Sequence, residues 1–238
     1  MSSHVFTTEA LVIGSMRYGE ADRIVTLYTR DRGRLGAIAK GVRRTKSKVG
    51  GRLEPFSLVR ASLYAGRGLY TVVGVDTLRT FQGVRDELFR LEEGARLFLA
   101  VRHLFPAEEG SAPAFNLLVR GVARLAEAPD PAAAAGVVLS TRLKLLALLG
   151  YAPEMTHCAL CGSEGPFYGF SPGQGGIVCQ LCSSDVSLAC FPLSLGAVST
   201  LRTLLDNPLA ELDAFELDRR AMAEVEQVVV QILAFHGH

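Results

Sequence analysis

From Thr7 to about Thr80, apolar residues come in short runs rich in β-branched side chains and broken by Gly, Asp and Arg turns, the pattern of strands rather than helices. It predicts five strands, at about Glu9 to Tyr18, Arg23 to Thr29, Leu35 to Lys40, Phe56 to Tyr64 and Leu69 to Asp76. The joints are Gly19-Glu20, Asp31-Arg32-Gly33, a long basic loop and Gly66-Arg67-Gly68. Five antiparallel strands in a segment of roughly seventy residues match a five-stranded OB-fold barrel, whose exposed strand face and loops bind single strands. An SH3-like barrel has similar spacing, so spacing leaves both open.

After Phe81 the period lengthens to three or four residues, as a helix requires: Leu88, Leu91, Ala95, Phe98, Leu99 and then Phe105, with Arg102 interrupting, before Pro106. Further helices are predicted at Pro113 to Ala128, Pro131 to Leu149, Leu193 to Leu205 and Glu216 to Phe235. Pro113 and Pro131 suit a first helical turn, and Gly150 suits a stop. The expected class is therefore α+β: a barrel domain over 1–80 and a helical domain over 81–238 with an insert near 155–185. No internal repeat is present.

The chain has 238 residues, 49% of them apolar, ample for packed cores. Met-Ser-Ser-His at the start is no charged leader, and no run looks like the roughly 18 apolar residues of a membrane span, so a cytosolic, nucleoid-associated protein is expected. The net charge of +1 conceals an asymmetry. The first 80 residues carry 14 Lys and Arg against 6 Asp and Glu, and the remainder 11 against 18. Clustered cations that can replace the counterions on phosphates point to a nucleic acid as partner.

The densest cluster is Lys40-Gly-Val-Arg43-Arg44-Thr-Lys46-Ser-Lys48, followed by Arg52, with no carboxylate between. A charge run is often a solvated face. This one lies inside a predicted barrel that also carries Arg17, Arg23, Arg30, Arg32, Arg34, Arg60 and Arg67, which favours binding. The candidate nucleic-acid contacts are Arg23, Arg34, Lys40, Arg43, Arg44, Lys46, Lys48, Arg52 and Arg67. Tyr18, Tyr28, Tyr64 and Tyr70 are candidate stacking platforms, each with a core or edge role as the plainer reading, and there is no Trp. Binding should then rest on charge, weakly sequence-selective and salt-sensitive.

Cys158-Ala-Leu-Cys161 and Cys179-Gln-Leu-Cys182 form two CxxC knuckles separated by 17 residues. Two such knuckles complete the tetrahedron that Zn²⁺ prefers, and a closed set of four thiolates leaves no position for substrate, so one structural Zn²⁺ is expected. The alternatives are a redox dithiol pair, or cysteines whose ligand role has lapsed. Phe167 to Phe170 and Ile177-Val178, around a Gly-rich turn, read as the hairpin of a zinc-ribbon-like insert. His157 reads as a surface residue and Cys190 as a core thiol.

Catalytic patterns do not stand. Gly36 and Gly41 have the interval of a phosphate-binding loop but Val42 follows where Lys is needed, and no HxE partners the cysteines. Glu20 and Asp22 are the closest carboxylates in the basic segment, and a zinc-containing nuclease would need them at a metal. The expectation is a non-enzymatic binder, with an RNA- or ribosome-binding OB protein as the alternative.

The stretches Ala10-Leu-Val-Ile-Gly14, Tyr18-Gly-Glu20-Ala-Asp22-Arg23-Ile-Val-Thr-Leu, Gly33-Arg34-Leu, Ala39-Lys40-Gly41-Val-Arg43 and Leu53-Glu54-Pro55-Phe56 resemble bacterial RecO, a DNA repair and recombination mediator family. The resemblance continues through Leu143-Lys144-Leu-Leu-Ala-Leu-Leu-Gly150-Tyr-Ala-Pro153 into the first knuckle, and so covers nearly the whole chain. It implies an OB-fold that binds single- and double-stranded DNA and a helical domain carrying zinc. It also implies strand annealing, action with RecR, and help in loading RecA onto DNA coated by single-stranded DNA-binding protein.

Overall fold

The computed structural model describes residues 5–42, 50–66, 68–185 and 188–236. They gather into two compact units, one of residues up to 91 with 105–127, the other of 92–104 with 128 onward. The change of texture at residue 80 marks the end of the last barrel strand; the unit built on the barrel reaches further along the chain.

Five strands, β1 (Val5–Tyr18), β2 (Asp22–Thr29), β3 (Gly33–Ala39), β4 (Ser57–Tyr64) and β5 (Tyr70–Thr80), close a barrel in the order β1-β2-β3-β5-β4. That order is the OB-fold's and separates it from the SH3-like alternative. Alternation decides which side chains fill it: Val25 and Leu27 of β2, Leu35, Ala37 and Ala39 of β3, and Val59, Ala61 and Leu63 of β4 point inward and are buried. A bulge between Val12 and Gly14 lets β1 bend around this core and pair with both β2 and β4.

β3 pairs with β2 along its length but meets β5 only at Ala37–Tyr70 and Ile38–Thr71, leaving the other edge of its first half without a strand neighbour. Residues after the first long helix supply one. Ala107 pairs in parallel with Arg34, and the Glu108 N–H donates to the Arg34 carbonyl at 3.3 Å. The approach is backbone to backbone, which is why glycine stands on both sides. A methyl on Gly33 (φ +61°) would lie 2.1 Å from the Glu109 carbonyl oxygen, and one on Gly110 would lie 2.1 Å from that of Asp31. Phe105 and Phe115 then bury Tyr28 on the barrel's outer surface, with ring centroids at 5.4 and 6.5 Å.

The helices are α1 (Gln82–Asp86), α2 (Leu88–Leu104), α3 (Ala112–Glu127), α4 (Pro131–Leu148), α5 (Leu195–Asp206) and α6 (Arg219–His236). Only the short α1 was not expected. α4 starts as its sequence indicates, with Pro131 in the first turn and Asp130 accepting the N–H groups of Ala132 and Ala133 at 2.9 Å. It is long and apolar enough to reach the membrane-span threshold, contrary to the sequence reading, but most of it is buried inside its own unit. Its polar residues are bonded there. Ser140 donates to the Leu204 carbonyl at 2.6 Å, and Lys144 donates to those of Leu204 and Leu205, closing the C-terminal turn of α5 where a cation is favoured. Burial holds the Lys144 pKa below its ordinary value.

Candidate nucleic-acid interface and metal centre

Of the nine candidate DNA contacts, Arg43, Arg44, Lys46, Lys48 and Arg67 lie outside the described residues. The other four differ in how free their charge is. Arg23 is bound to Glu54 at 2.5 Å. Arg52 donates to the Val75 carbonyl at 2.7 Å and stands 3.7 Å from Asp76. Arg34 is half-buried, its Nε unpartnered. Lys40 is exposed at the end of β3 and makes no ion pair among the described residues, which leaves its charge available to a phosphate. Elsewhere on the barrel, Arg30 and Arg60 share Glu9 at 3.4 and 3.7 Å, and Arg32 lies over the Phe6 ring at 4.1 Å.

The four tyrosines also separate. Tyr28 is fully buried, and that burial pushes its phenol pKa up, so it offers no platform. Tyr70 packs edge-on against Phe6 and donates to Glu108 at 3.0 Å. Tyr64 is exposed on the β1–β4 side, opposite Val5. Tyr18 is exposed at the end of β1, opposite Asp22. Asp22 itself accepts the Gly41 N–H at 2.7 Å, pinning the chain where it leaves β3.

The sequence search for aromatic platforms passed over a row of aliphatic residues. Ile24 of β2 and Ile38 of β3 are paired and point away from the core, and Met16 pairs with Ile24 from the other side. The signal was present: in a strand with one buried face, outward positions are ordinarily polar, and here they hold isoleucine.

The insert is a small sheet of β6 (Phe167–Ser171), β7 (Gly176–Cys179) and β8 (Phe191–Pro192). Its hairpin carries the second knuckle at the end of β7, and the first knuckle docks on it through the Ala159 N–H, which donates to the Ile177 carbonyl at 2.8 Å. The four sulfurs of Cys158, Cys161, Cys179 and Cys182 all lie within 4.8 Å of one another, and Cys161 and Cys179 are 3.7 Å apart, too far for a disulfide. A tetrahedron with bonds of about 2.3 Å has edges of about 3.8 Å, so the quartet fits one Zn²⁺-sized ion. Backbone N–H groups steady the thiolates: those of Cys179 and Cys182 point at the sulfurs of Cys158 and Cys179, at 3.3 and 3.4 Å. The Cys182 N–H brings the Cys179 pKa down to about 6. Cys182, hydrogen-bonded to Cys179 and Cys161, is pushed up to about 12. Four thiols this close do not all ionise against one another, a conflict that a dication relieves. His157 is exposed, 3.9 Å from Glu164, and Cys190 packs beside the cluster.

Residues 1–81 match the family model for the recombination protein O N-terminal region, and residues 99–237 the model for its C-terminal region. The DNA repair protein RecO of Rubrobacter xylanophilus is 42% identical over 87% of this chain and 83% of its own length. Those of a Nocardioides strain and of Thermobifida fusca are 39% and 37% identical over 98% of this chain, and over 94% and 93% of theirs. With both regions in order and the barrel and helices in place, the chain belongs to the RecO family of DNA repair and recombination proteins.

Proposed function

We propose that the protein binds single- and double-stranded DNA through its barrel and anneals complementary strands. With RecR, it would assist the loading of RecA onto DNA coated by single-stranded DNA-binding protein. The observation that carries this reading is the cationic excess of the barrel segment, continuing from Lys40, exposed and without an ion pair among the described residues, into the run that ends at Lys48, in a chain of this family. Two like-charged strands meet slowly; a surface that neutralises both lowers the encounter barrier. Base pairing then supplies the free energy, so no nucleotide hydrolysis is needed and the protein acts as a mediator rather than an enzyme.

Cys158, Cys161, Cys179 and Cys182 would hold one structural Zn²⁺, which supplies a cross-link between the knuckles and no open coordination position. The test is a strand-annealing assay on the full chain with Lys40, Arg43, Arg44, Lys46 and Lys48 changed together to Ala. Loss of annealing with an unchanged circular dichroism spectrum is expected. Wild-type rates from the variant would overturn the reading.

A further inference from the structure

Resting on the reading of the quartet as a zinc site, we infer that it is also a peroxide-reactive one: Cys161 is the sulfur that a hydroperoxide attacks, and Cys179 resolves it into a disulfide joining the two knuckles. The four sulfurs are not equivalent. Cys158 and Cys179 are buried, Cys182 is half-buried and Cys161 is exposed. A closed shell denies substrate a position on the metal, but an oxidant of thiolates needs only a sulfur lone pair that faces solvent. Cys161 offers one. Leu160 beside it is itself 47% exposed, and Leu181, beside Cys182, 88%, so neither is packed down as a lid over the sulfurs.

The Cys161 thiolate attacks the peroxide, an S–O bond forming as the O–O bond breaks, and the leaving oxygen takes a proton from water to depart as water or an alcohol. Cys161 is then a sulfenic acid. The Cys179 thiolate attacks that sulfur in turn, forming the S–S bond and breaking the S–O bond, and the hydroxyl leaves, protonated, as a second water. Two electrons have passed from the two sulfurs to the peroxide. Cys179 is placed for this step. Its Sγ lies 3.7 Å from that of Cys161 and need only close to the roughly 2.0 Å of a bond. The Cys182 N–H, at 3.4 Å, holds the Cys179 sulfur in position from the other side. Burial keeps Cys179 from the oxidant until Cys161 has reacted, and an immediate resolving partner stops Cys161 from climbing to the irreversible sulfinic acid.

The disulfide consumes two of the four ligands. Cys158 and Cys182 alone do not complete a tetrahedron, so the insert loses its cross-link and the ion with it. All five cysteines of the chain lie between 158 and 190, and the barrel strands contain none, so thiol oxidation does not reach the barrel. A dithiol reductant reverses the change.

The experiment treats the full chain with hydrogen peroxide while a chromophoric chelator reports free zinc, and then maps disulfides by mass spectrometry. Chymotrypsin is the protease, since Phe167, Tyr168 and Phe170 lie between the knuckles and Leu181 lies within the second. Three variants accompany the wild type. Cys161→His keeps four ligands, in a Cys₃His set that zinc accepts, but removes the attacked sulfur. Cys182→His makes the same exchange and keeps Cys161 and Cys179. Cys190→Ser removes the thiol that packs beside the cluster and is not one of the four. Wild type, Cys182→His and Cys190→Ser should release about one zinc per chain, in step with a Cys161–Cys179 disulfide, and take zinc up again after reduction. Cys161→His should release it at least about tenfold more slowly. Should Cys161→His not take up zinc, the wild-type disulfide map decides by itself. Zinc retained by the wild type under peroxide, release from Cys161→His at the wild-type rate, or a disulfide that omits Cys161 or Cys179 would overturn the inference. A wild type that carries no zinc before treatment would overturn the zinc reading itself.

Discussion

Arg142 donates through Nη1 to both carboxylate oxygens of Glu226, at 2.8 and 2.7 Å, joining the middle of α4 to α6. The arginine is only 4% exposed, so its charge depends on that carboxylate. Glu226→Ala leaves the guanidinium buried without a counter-charge and should cost about 3 kcal/mol of stability. The double replacement Arg142→Met, Glu226→Leu should recover most of it. Urea denaturation of the three proteins, monitored by circular dichroism, decides; equal midpoints for Glu226→Ala and wild type would contradict the dependence.

Close to this pair, burial raises the Glu93 pKa, against which Arg96, 3.0 Å away, pulls it down. A carboxyl whose folded pKa lies above its unfolded value binds its proton more tightly when folded. Stability is therefore fullest at acid pH and falls as pH rises through the carboxylate range to the folded pKa. Glu93→Gln keeps the shape and removes the ionisation. It should melt above wild type at pH 7, and the difference should shrink as the pH is lowered toward 4. A difference that does not change with pH would show that the carboxyl ionises as freely folded as unfolded.

Gly110 and Gly33 meet the opposing backbone so closely that neither tolerates a side chain. Gly110→Ala would set a methyl 2.1 Å from the Asp31 carbonyl oxygen. The segment that completes β3 must then lift away, at about 1–3 kcal/mol or more. Lifting it also uncovers Tyr28, whose ring lies under Phe105 and Phe115. Hydrogen exchange at the Glu108 amide should accelerate, and tyrosine fluorescence should change as Tyr28 meets water. Unchanged exchange at Glu108 would mean that the contact is not needed.

How much of this was legible beforehand follows from where each signal lies. The strands of the barrel show in the sequence because one face of each is packed against Val25, Leu27, Leu35 and their neighbours, and a period of two survives. The quartet shows because both ligands of each knuckle lie three residues apart. The pairing of Arg23 with Glu54, 31 residues away, does not show, since nothing local distinguishes a cation that will be neutralised from Lys40, which makes no ion pair among the described residues. Nor does the docking of Ala107 on Arg34, whose only trace is a glycine on either side. Ile24 and Ile38 were visible as outward strand residues but not as a row with Met16, because which residues stand side by side depends on a register that only the closed barrel fixes.

The metal quartet lends itself to a test that separates the two compact units. Cys158 and Cys179 are buried together with Val178, and Phe167, Leu188 and Cys190 pack around them, a cluster too small to hold itself by burial alone. Thiolate coordination contributes folding free energy directly where a small module depends on it, about 10–16 kcal/mol for zinc-finger peptides at neutral pH. Cys158→Ser, or removal of metal by a strong chelator, should therefore expose the 154–185 region to proteolysis and lower the melting temperature of the protein. The purified wild type should carry one zinc per chain and the variant none. The barrel holds no member of the quartet, so its strands should keep their hydrogen-exchange protection when the metal is lost. Loss of protection in β1 to β5 on chelation would show that the barrel draws its stability from the metal site. Retention, with annealing intact, would assign the zinc to the scaffold and leave nucleic-acid binding to the barrel.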